Sequence, residues 1–235
     1  MDKYHVKIKR DAGKSPYWEH FEASLDDAAT LIQMLEELQR KPVNQKGEKV
    51  YPVAFESGCG KGVCGACTAL VNGEPVLLCQ TRVGQLPKTI TIEPVQGFPV
   101  IRDLVVNREI IFENLTPLKM APLLTDFEYK TNRDLQQSVQ SQASIFYEAC
   151  IQCGACLAVC PQYDSSKPFG GALVALAALE SVHEKLDILV NSFKLQDCDN
   201  AQACVKACPK DIPLDLVWGQ VKRAITQGFM KSIFG

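Results

Sequence analysis

Apolar and polar positions alternate along residues 4–9, YHVKIK, and again along 17–24, YWEHFEAS. A period of two marks a strand with one buried face, and Gly13 between the runs predicts a hairpin. The period then changes. Ala28, Leu31, Ile32, Leu35 and Leu38 recur at helical spacing, with Ser24 before them as a candidate N-cap. Strand-like runs return at 50–55 (VYPVAF), 67–72 (CTALVN), 75–79 (PVLLC) and 89–95 (TITIEPV), and Asn72-Gly73 is a hairpin turn signal. One helix lying on a small mixed sheet accounts for the first half.

From about Asp103 the alternation fades. Residues 133–149, 170–190 and 214–229 read as helices, punctuated by Pro117, Pro122, Pro161, Pro168, Pro209 and Pro213. The pattern therefore predicts two domains, 1–103 and 104–235, the second mostly helical. Along the last helix Val217, Val221, Ile225 and Phe229 share a face, with Met230, Ile233 and Phe234 beyond. That face either packs on its own domain or docks against a membrane anchor.

Length and composition change this picture little. The chain has 235 residues, 46% of them apolar, and a formal net charge of −2, which points away from nucleic acid and from polybasic membrane contact. The charged, alternating N-terminus resembles neither a signal peptide nor a transit peptide. The longest apolar run, FGGALVALAAL, ends at Glu180, short of the ~18 residues of a membrane span. A soluble chain is expected.

The eleven cysteines change it greatly. Their odd number, tight spacing and lack of an export signal argue against a disulfide framework. Cys59, Cys64, Cys67 and Cys79 are spaced C-x4-C-x2-C-x11-C, which matches the plant-type 2Fe–2S pattern. Three thiolates from one loop wrap a two-iron centre, and the fourth comes from a neighbouring strand. Gly58, Gly60, Gly62 and Gly65 let backbone N–H groups approach the sulfurs. Ser57 and Thr68 are candidate further donors to them. A four-thiolate zinc site is the alternative, although zinc ribbons pair two C-x2-C knuckles. The Gly60-Lys61 pair is not a phosphate loop, because no Ser or Thr follows the lysine.

CIQCGACLAVCP (150–161) and CDNAQACVKACP (198–209) form an internal repeat 48 residues apart. The first has the C-x2-C-x2-C-x3-C-P spacing of bacterial ferredoxins, in which the fourth cysteine ligates the other cluster. Cys150, Cys153 and Cys156 with Cys208 then hold a 4Fe–4S cluster. Cys160, Cys198 and Cys204 hold a second cluster whose fourth ligand position is Ala201. A cubane corner without a thiolate tends to lose its iron, which predicts a 3Fe–4S cluster. The rival is a 4Fe–4S cluster with water, hydroxide or substrate on the open iron. Four, four and three ligands account for every cysteine. Cys156 and Cys160 stand one helical turn apart and point to different clusters, which places the two on the order of 10 Å apart. Three unlike clusters make a relay for electrons rather than a catalytic centre. His5, His20 and His183 lie outside the cysteine motifs. Arg82, Lys206 and Lys210 lie near them, either as solvated residues or as charges that raise cluster potentials.

These motifs, in this order and with Ala201 in the fourth place, resemble the iron–sulfur subunits of succinate dehydrogenase and fumarate reductase over nearly the whole chain. The resemblance implies an α+β fold: a plant-type ferredoxin-like β-grasp domain followed by an all-α bacterial-ferredoxin-like domain. It implies an enzyme subunit that carries electrons and does not itself bind succinate. Its partners would be a flavoprotein with covalent FAD, which interconverts succinate and fumarate, and a membrane-anchor cytochrome b that carries haem b and delivers electrons to quinone. The implied location is peripheral, on the cytoplasmic side of the bacterial inner membrane. Ubiquinone-using relatives carry a Trp after the first Cys-Pro and a His after the first cysteine of the second motif. Here residues 162–169 read QYDSSKPF and Asp199 follows Cys198, so the quinone pocket of those relatives is not expected; CPKDIPL (208–214) and the terminal SIFG resemble the menaquinone-linked, dihaem type. Other flavin-dependent complexes are the alternative, as is a zinc-stabilised binding module.

Overall fold

The structure, a computed structural model, describes residues 2–11, 13, 15–118 and 146–234. Five strands form one sheet in the order β2-β1-β5-β3-β4: β1 (Asp2–Arg10), β2 (Tyr17–Leu25), β3 (Thr68–Val71), β4 (Glu74–Leu77) and β5 (Thr89–Glu93). The outer pairs are antiparallel hairpins and β1 lies parallel to β5, so chain order and sheet order differ. Alternation in β1 turns Tyr4, Val6, Ile8 and Arg10 inward, and β2 answers with Glu19, Phe21 and Ala23. Asn72 and Gly73 both adopt positive φ, as the β3–β4 turn requires.

Helix α1 (Leu31–Arg40) covers this sheet through Leu31, Ile32, Met34, Leu35 and Leu38. It starts later than Ser24. Thr30 is the N-cap, and a capping box with Gln33 satisfies donors at both positions. The strand expected over 50–55 does not form. There the carbonyls of Tyr51 and Pro52 accept from the Arg10 guanidinium, and the Ala54 N–H goes to Asp103. Side chains take the backbone groups that a ladder would need. Strands β6 (Val100–Arg102) and β7 (Val105–Val106) make a small separate ribbon.

Among the described residues six helices follow: α2 (Glu109–Leu115), α3 (Ala155–Ala158), α4 (Gly171–Ala178), α5 (Leu186–Asn191), α6 (Ala203–Ala207) and α7 (Leu214–Phe234). The helix expected over 133–149 lies outside the described residues up to 145. The one expected over 170–190 is interrupted. Gly171 enters it at positive φ, every residue of α4 is buried, and beyond Leu179 the polar 180–185 stretch turns the chain before α5. A helix apolar all round belongs in a core, and α4 packs against α2, α3 and α7.

Two apolar cores result, and they exchange residues. Cys153 and Ala155 pack into the core beneath the sheet, whereas Val95, Phe98 and Val106 pack with α4. The halves therefore meet at the cysteine motifs.

Candidate functional site: three groups of thiols

None of the eleven cysteines is paired in a disulfide. The first group lies on the 55–67 loop and the turn just after β4. Gly60, Gly62 and Gly65 take positive φ, turning backbone N–H groups towards sulfur. The amides of Lys61 and Val63 both donate to Cys59 Sγ at 3.3 Å. Hydrogen bonds from Val63 and then Lys61 bring the Cys59 thiol down to about 6. Cys59 also bonds the Cys64 side chain, while Cys67 lies against Cys79 and Cys64. Burial pushes Cys67 up to about 11. One end of the group is thus solvent-facing, with Cys64 and Val63 exposed, and the Cys67–Cys79 end is buried. Sequence reasoning missed Gln80, whose side-chain amide lies 3.7 Å from Cys79 Sγ. Nothing in the sequence signals it except adjacency to Cys79.

The second group, Cys150, Cys153, Cys156 and Cys208, lines one cavity walled by Leu173, Leu176 and Ile212. Burial pushes Cys150 up to about 11, raises Cys153, and lifts Cys156 well above the ordinary thiol value. Backbone N–H groups of Gln152 and Ala155 offset this at Cys150 and Cys153. These thiols are raised because burial disfavours the thiolate; a cationic iron centre would offset that.

The third group, Cys160, Cys198 and Cys204, lines a separate cavity with Ala201, Asp199 and Trp218. Burial raises Cys160 and Cys204. Two residues of α7 that the sequence did not single out serve this group. The Trp218 side chain hydrogen-bonds Cys204, and Lys222 Nζ donates to the Cys198 carbonyl at 3.0 Å. Trp218 is itself stacked on Phe169, with ring centroids 6.4 Å apart.

The sequence repeat is also a backbone repeat. Gln152 and Asn200, third in each motif, both have positive φ, as do Gly154 and Gln202, fifth in each. Helices α3 and α6 both begin at the sixth position. Ala201 therefore occupies the place that Cys153 occupies in the first copy.

The groups adjoin in series. A Cβ added to Gly65 would lie 2.6 Å from the Ile151 carbonyl and 2.8 Å from Cys153 Cα, so the first loop touches the second motif. Cys156 lies near Cys204 as well as near Cys150, Cys153 and Cys208, joining the second group to the third. Among the described residues, no three His, Cys, Asp or Glu side chains stand as a site for a single metal ion; the second and third groups ring cavities. The donor chemistry of all three groups fits iron–sulfur clusters: thiols throughout, and backbone N–H groups aimed at several of the sulfurs.

The three histidines lie apart from the thiols, whereas Lys210 also lines the cavity of the second group. His5 pairs with Glu22, and His20 and His183 are exposed. Arg82 is exposed, and Lys61, Lys206 and Lys210 line an open cleft between the halves. In α7, Val217 and Val221 are buried, Ile225 is half-buried, and Phe229 and Met230 are exposed. The side chains of Ile233 and Phe234 lie outside the described ones. Among the described residues, no helix is long and apolar enough to cross a membrane.

Two domain families match the chain: a 2Fe-2S iron-sulfur cluster binding domain over residues 4–113 and a 4Fe-4S dicluster domain over residues 147–212. The chain is 33% identical to the succinate dehydrogenase iron-sulfur subunit of Bacillus subtilis, over 95% of this chain and 92% of that one. It is 25% identical to the fumarate reductase iron-sulfur subunit of Haemophilus influenzae, over 97% and 91% respectively. A chain of the Mycobacterium smegmatis Sdh1 complex, solved in the apo form, shares the fold with a TM-score of 0.74 at 21% identity, covering 97% of both chains.

Proposed function

The chain belongs to the family of succinate dehydrogenase and fumarate reductase iron–sulfur subunits, and from that premise we propose its cluster inventory, ligands and partners. It is an electron-transfer subunit with 2Fe–2S and 4Fe–4S binding domains. In our reading Cys59, Cys64, Cys67 and Cys79 hold the 2Fe–2S cluster. Cys150, Cys153, Cys156 and Cys208 hold the 4Fe–4S cluster, and Cys160, Cys198 and Cys204 hold a 3Fe–4S cluster. When bound, these groups supply one-electron carriage between a flavin and a quinone.

The chain's own residues set the sulfurs, shield them and place them in order. The single observation behind the three-iron reading is the matched backbone of the two motifs, with Ala201 where the first copy has Cys153. The exposed Cys64 and Val63 end of the first group supports assigning that side to a flavoprotein carrying FAD. The third group, last in the series, is assigned to the membrane-anchor cytochrome b, with its haem b, and to menaquinone. Asp199 after Cys198 and the tryptophan-free 162–169 stretch argue against the ubiquinone pocket, and CPKDIPL (208–214) with the terminal SIFG supports the menaquinone assignment. Tyr163 is turned into the core against Phe98, ring centroids 5.7 Å apart. The complex would sit on the cytoplasmic face of the bacterial cell membrane, with this chain peripheral.

Anaerobic purification of the detergent-solubilised complex tests this reading. A flavoprotein and a haem-bearing anchor should co-purify, with about nine irons per copy of this chain from the two-, four- and three-iron centres. Zinc in place of iron, or an oxidised sample without a three-iron EPR signal, would reject it.

A further inference from the structure

Thr68 opens β3, next to Cys67 of the first group, and was expected to donate to that group's sulfurs. It does not point there. The side chain is 2% exposed, and its hydroxyl donates to the Gly65 carbonyl at 2.7 Å. Its other neighbour is Cys153 of the second group: Gly65, to which the hydroxyl is bonded, packs directly on Cys153 Cα and Cβ, and the Thr68 side chain favours the Cys153 thiolate. The place is tightly built. Gly65 lies against Ile151 and Cys153 so closely that it has no room for a Cβ. Cys153 is packed into the core beneath the sheet. The Thr68 carbonyl accepts from Arg108 Nη2 at 3.3 Å, and Arg108 is itself paired with Glu56.

A hydroxyl has one hydrogen and here faces two acceptors. A free Cys153 thiol can act as donor and leave the Thr68 proton on Gly65. A metal-bound thiolate has no proton and only accepts. We propose that in the loaded protein Thr68 turns its hydroxyl onto Cys153 Sγ, so that a residue of the first domain sets the reduction potential of the second centre. The inference rests on the assignment of Cys153 as a ligand of the 4Fe–4S cluster. Adding an electron raises the negative charge on the cluster sulfurs and strengthens the bond they accept. A donor at Cys153 therefore favours the reduced form and raises the potential. No proton leaves the hydroxyl and no bond beyond this hydrogen bond changes. Thr68 is a positioning residue: it reaches the cluster only through its ligand. The hydroxyl spans the seam that an electron crosses between the first two centres, so the potential step is set at the contact itself.

The test is a redox titration of the intact membrane complex by low-temperature EPR, with the wild-type chain and Thr68→Val, Thr68→Ala and Thr68→Ser. In the Val and Ala variants the oxidised-to-reduced ratio of the four-iron centre at fixed solution potential should rise about tenfold, a fall in midpoint of ~59 mV for one electron. Thr68→Ser should keep the wild-type midpoint, and the two-iron midpoint should be the same in all four. An unchanged four-iron midpoint in Val or Ala overturns the inference. So do equal shifts of both centres, which would mean a displaced loop, and a shift that persists in Ser. A wild-type complex with no four-iron signal would instead overturn the ligand assignment beneath it.

Discussion

Ala201 and Cys153 occupy equivalent places in two backbones that share their positive-φ positions and helix starts. A sulfur restored at 201 would enter the cavity ringed by Cys160, Cys198 and Cys204. Ala201→Cys should therefore convert the three-iron centre to a four-iron one. The oxidised three-iron EPR signal should vanish and iron content should rise by about one per chain. At the other end of the series, Cys59 and Cys67 differ in reactivity for a physical reason. Amide donors hold Cys59 down to about 6, and burial holds Cys67 up to about 11. In chelator-stripped protein at pH 7, iodoacetamide should label Cys59 well before Cys67. That labelling should slow as pH falls through about 6 and the thiolate protonates; mass spectrometry of peptides quenched at intervals reads both. The cysteines themselves were legible because their spacing is local. The partners Trp218, Lys222 and the Thr68–Cys153 contact were not, because each joins residues far apart in the chain.

Between elements, the tightest constraint is the contact of the first cysteine loop with the second motif. Gly60 and Gly65 both take positive φ, but only Gly65 is crowded. Gly60→Ala meets nothing within 4 Å and should cost only the left-handed strain of about 1–2 kcal/mol, with iron retained. Gly65→Ala adds a collision with the Ile151 carbonyl and Cys153 Cα. It should push the loop and the motif apart, lower the thermal midpoint further, and reduce iron in the first two centres. Thermal melts paired with iron assays separate the two cases. The strands and helices around this contact were largely readable from period. The failures came where tertiary partners overrode it. Residues 50–55 have strand-like composition, yet Arg10 and Asp103 capture their backbone groups. The apolar run after Gly170 reads as one helix, but the chain turns beyond Leu179 and a separate helix starts at Leu186.

Over the whole molecule, the change of pattern near residue 103 coincides with a buried ionic network. Arg10 donates to Glu19 at 2.5 Å and to Asp103 at 2.9 Å, and all three side chains are at most 9% exposed. Asp103, itself at φ +49, also accepts from the amides of Asp11 and Ala54. One carboxylate thus ties the β1 end to the loop that leads into Cys59 and to the turn that leads into α2. Next along the chain from that loop and turn come Glu56 and Arg108, whose pairing supports Thr68. Period and composition marked the place where the texture changes but gave no sign of the clamp, because Arg10 and Glu19 sit in alternating strands where charge ordinarily faces water. Burial makes the network costly to break. Asp103→Asn leaves the Arg10 charge half-compensated and sets an amide N–H₂ group near the Ala54 N–H. Loss of one partner of a buried pair costs about 3–5 kcal/mol. The variant should therefore unfold at clearly lower denaturant than wild type while still binding iron in folded material, since no thiol is touched. Its first-centre EPR line should broaden as the 55–67 loop loses its anchor, and an unaltered unfolding midpoint would remove the network from any role in holding the halves together.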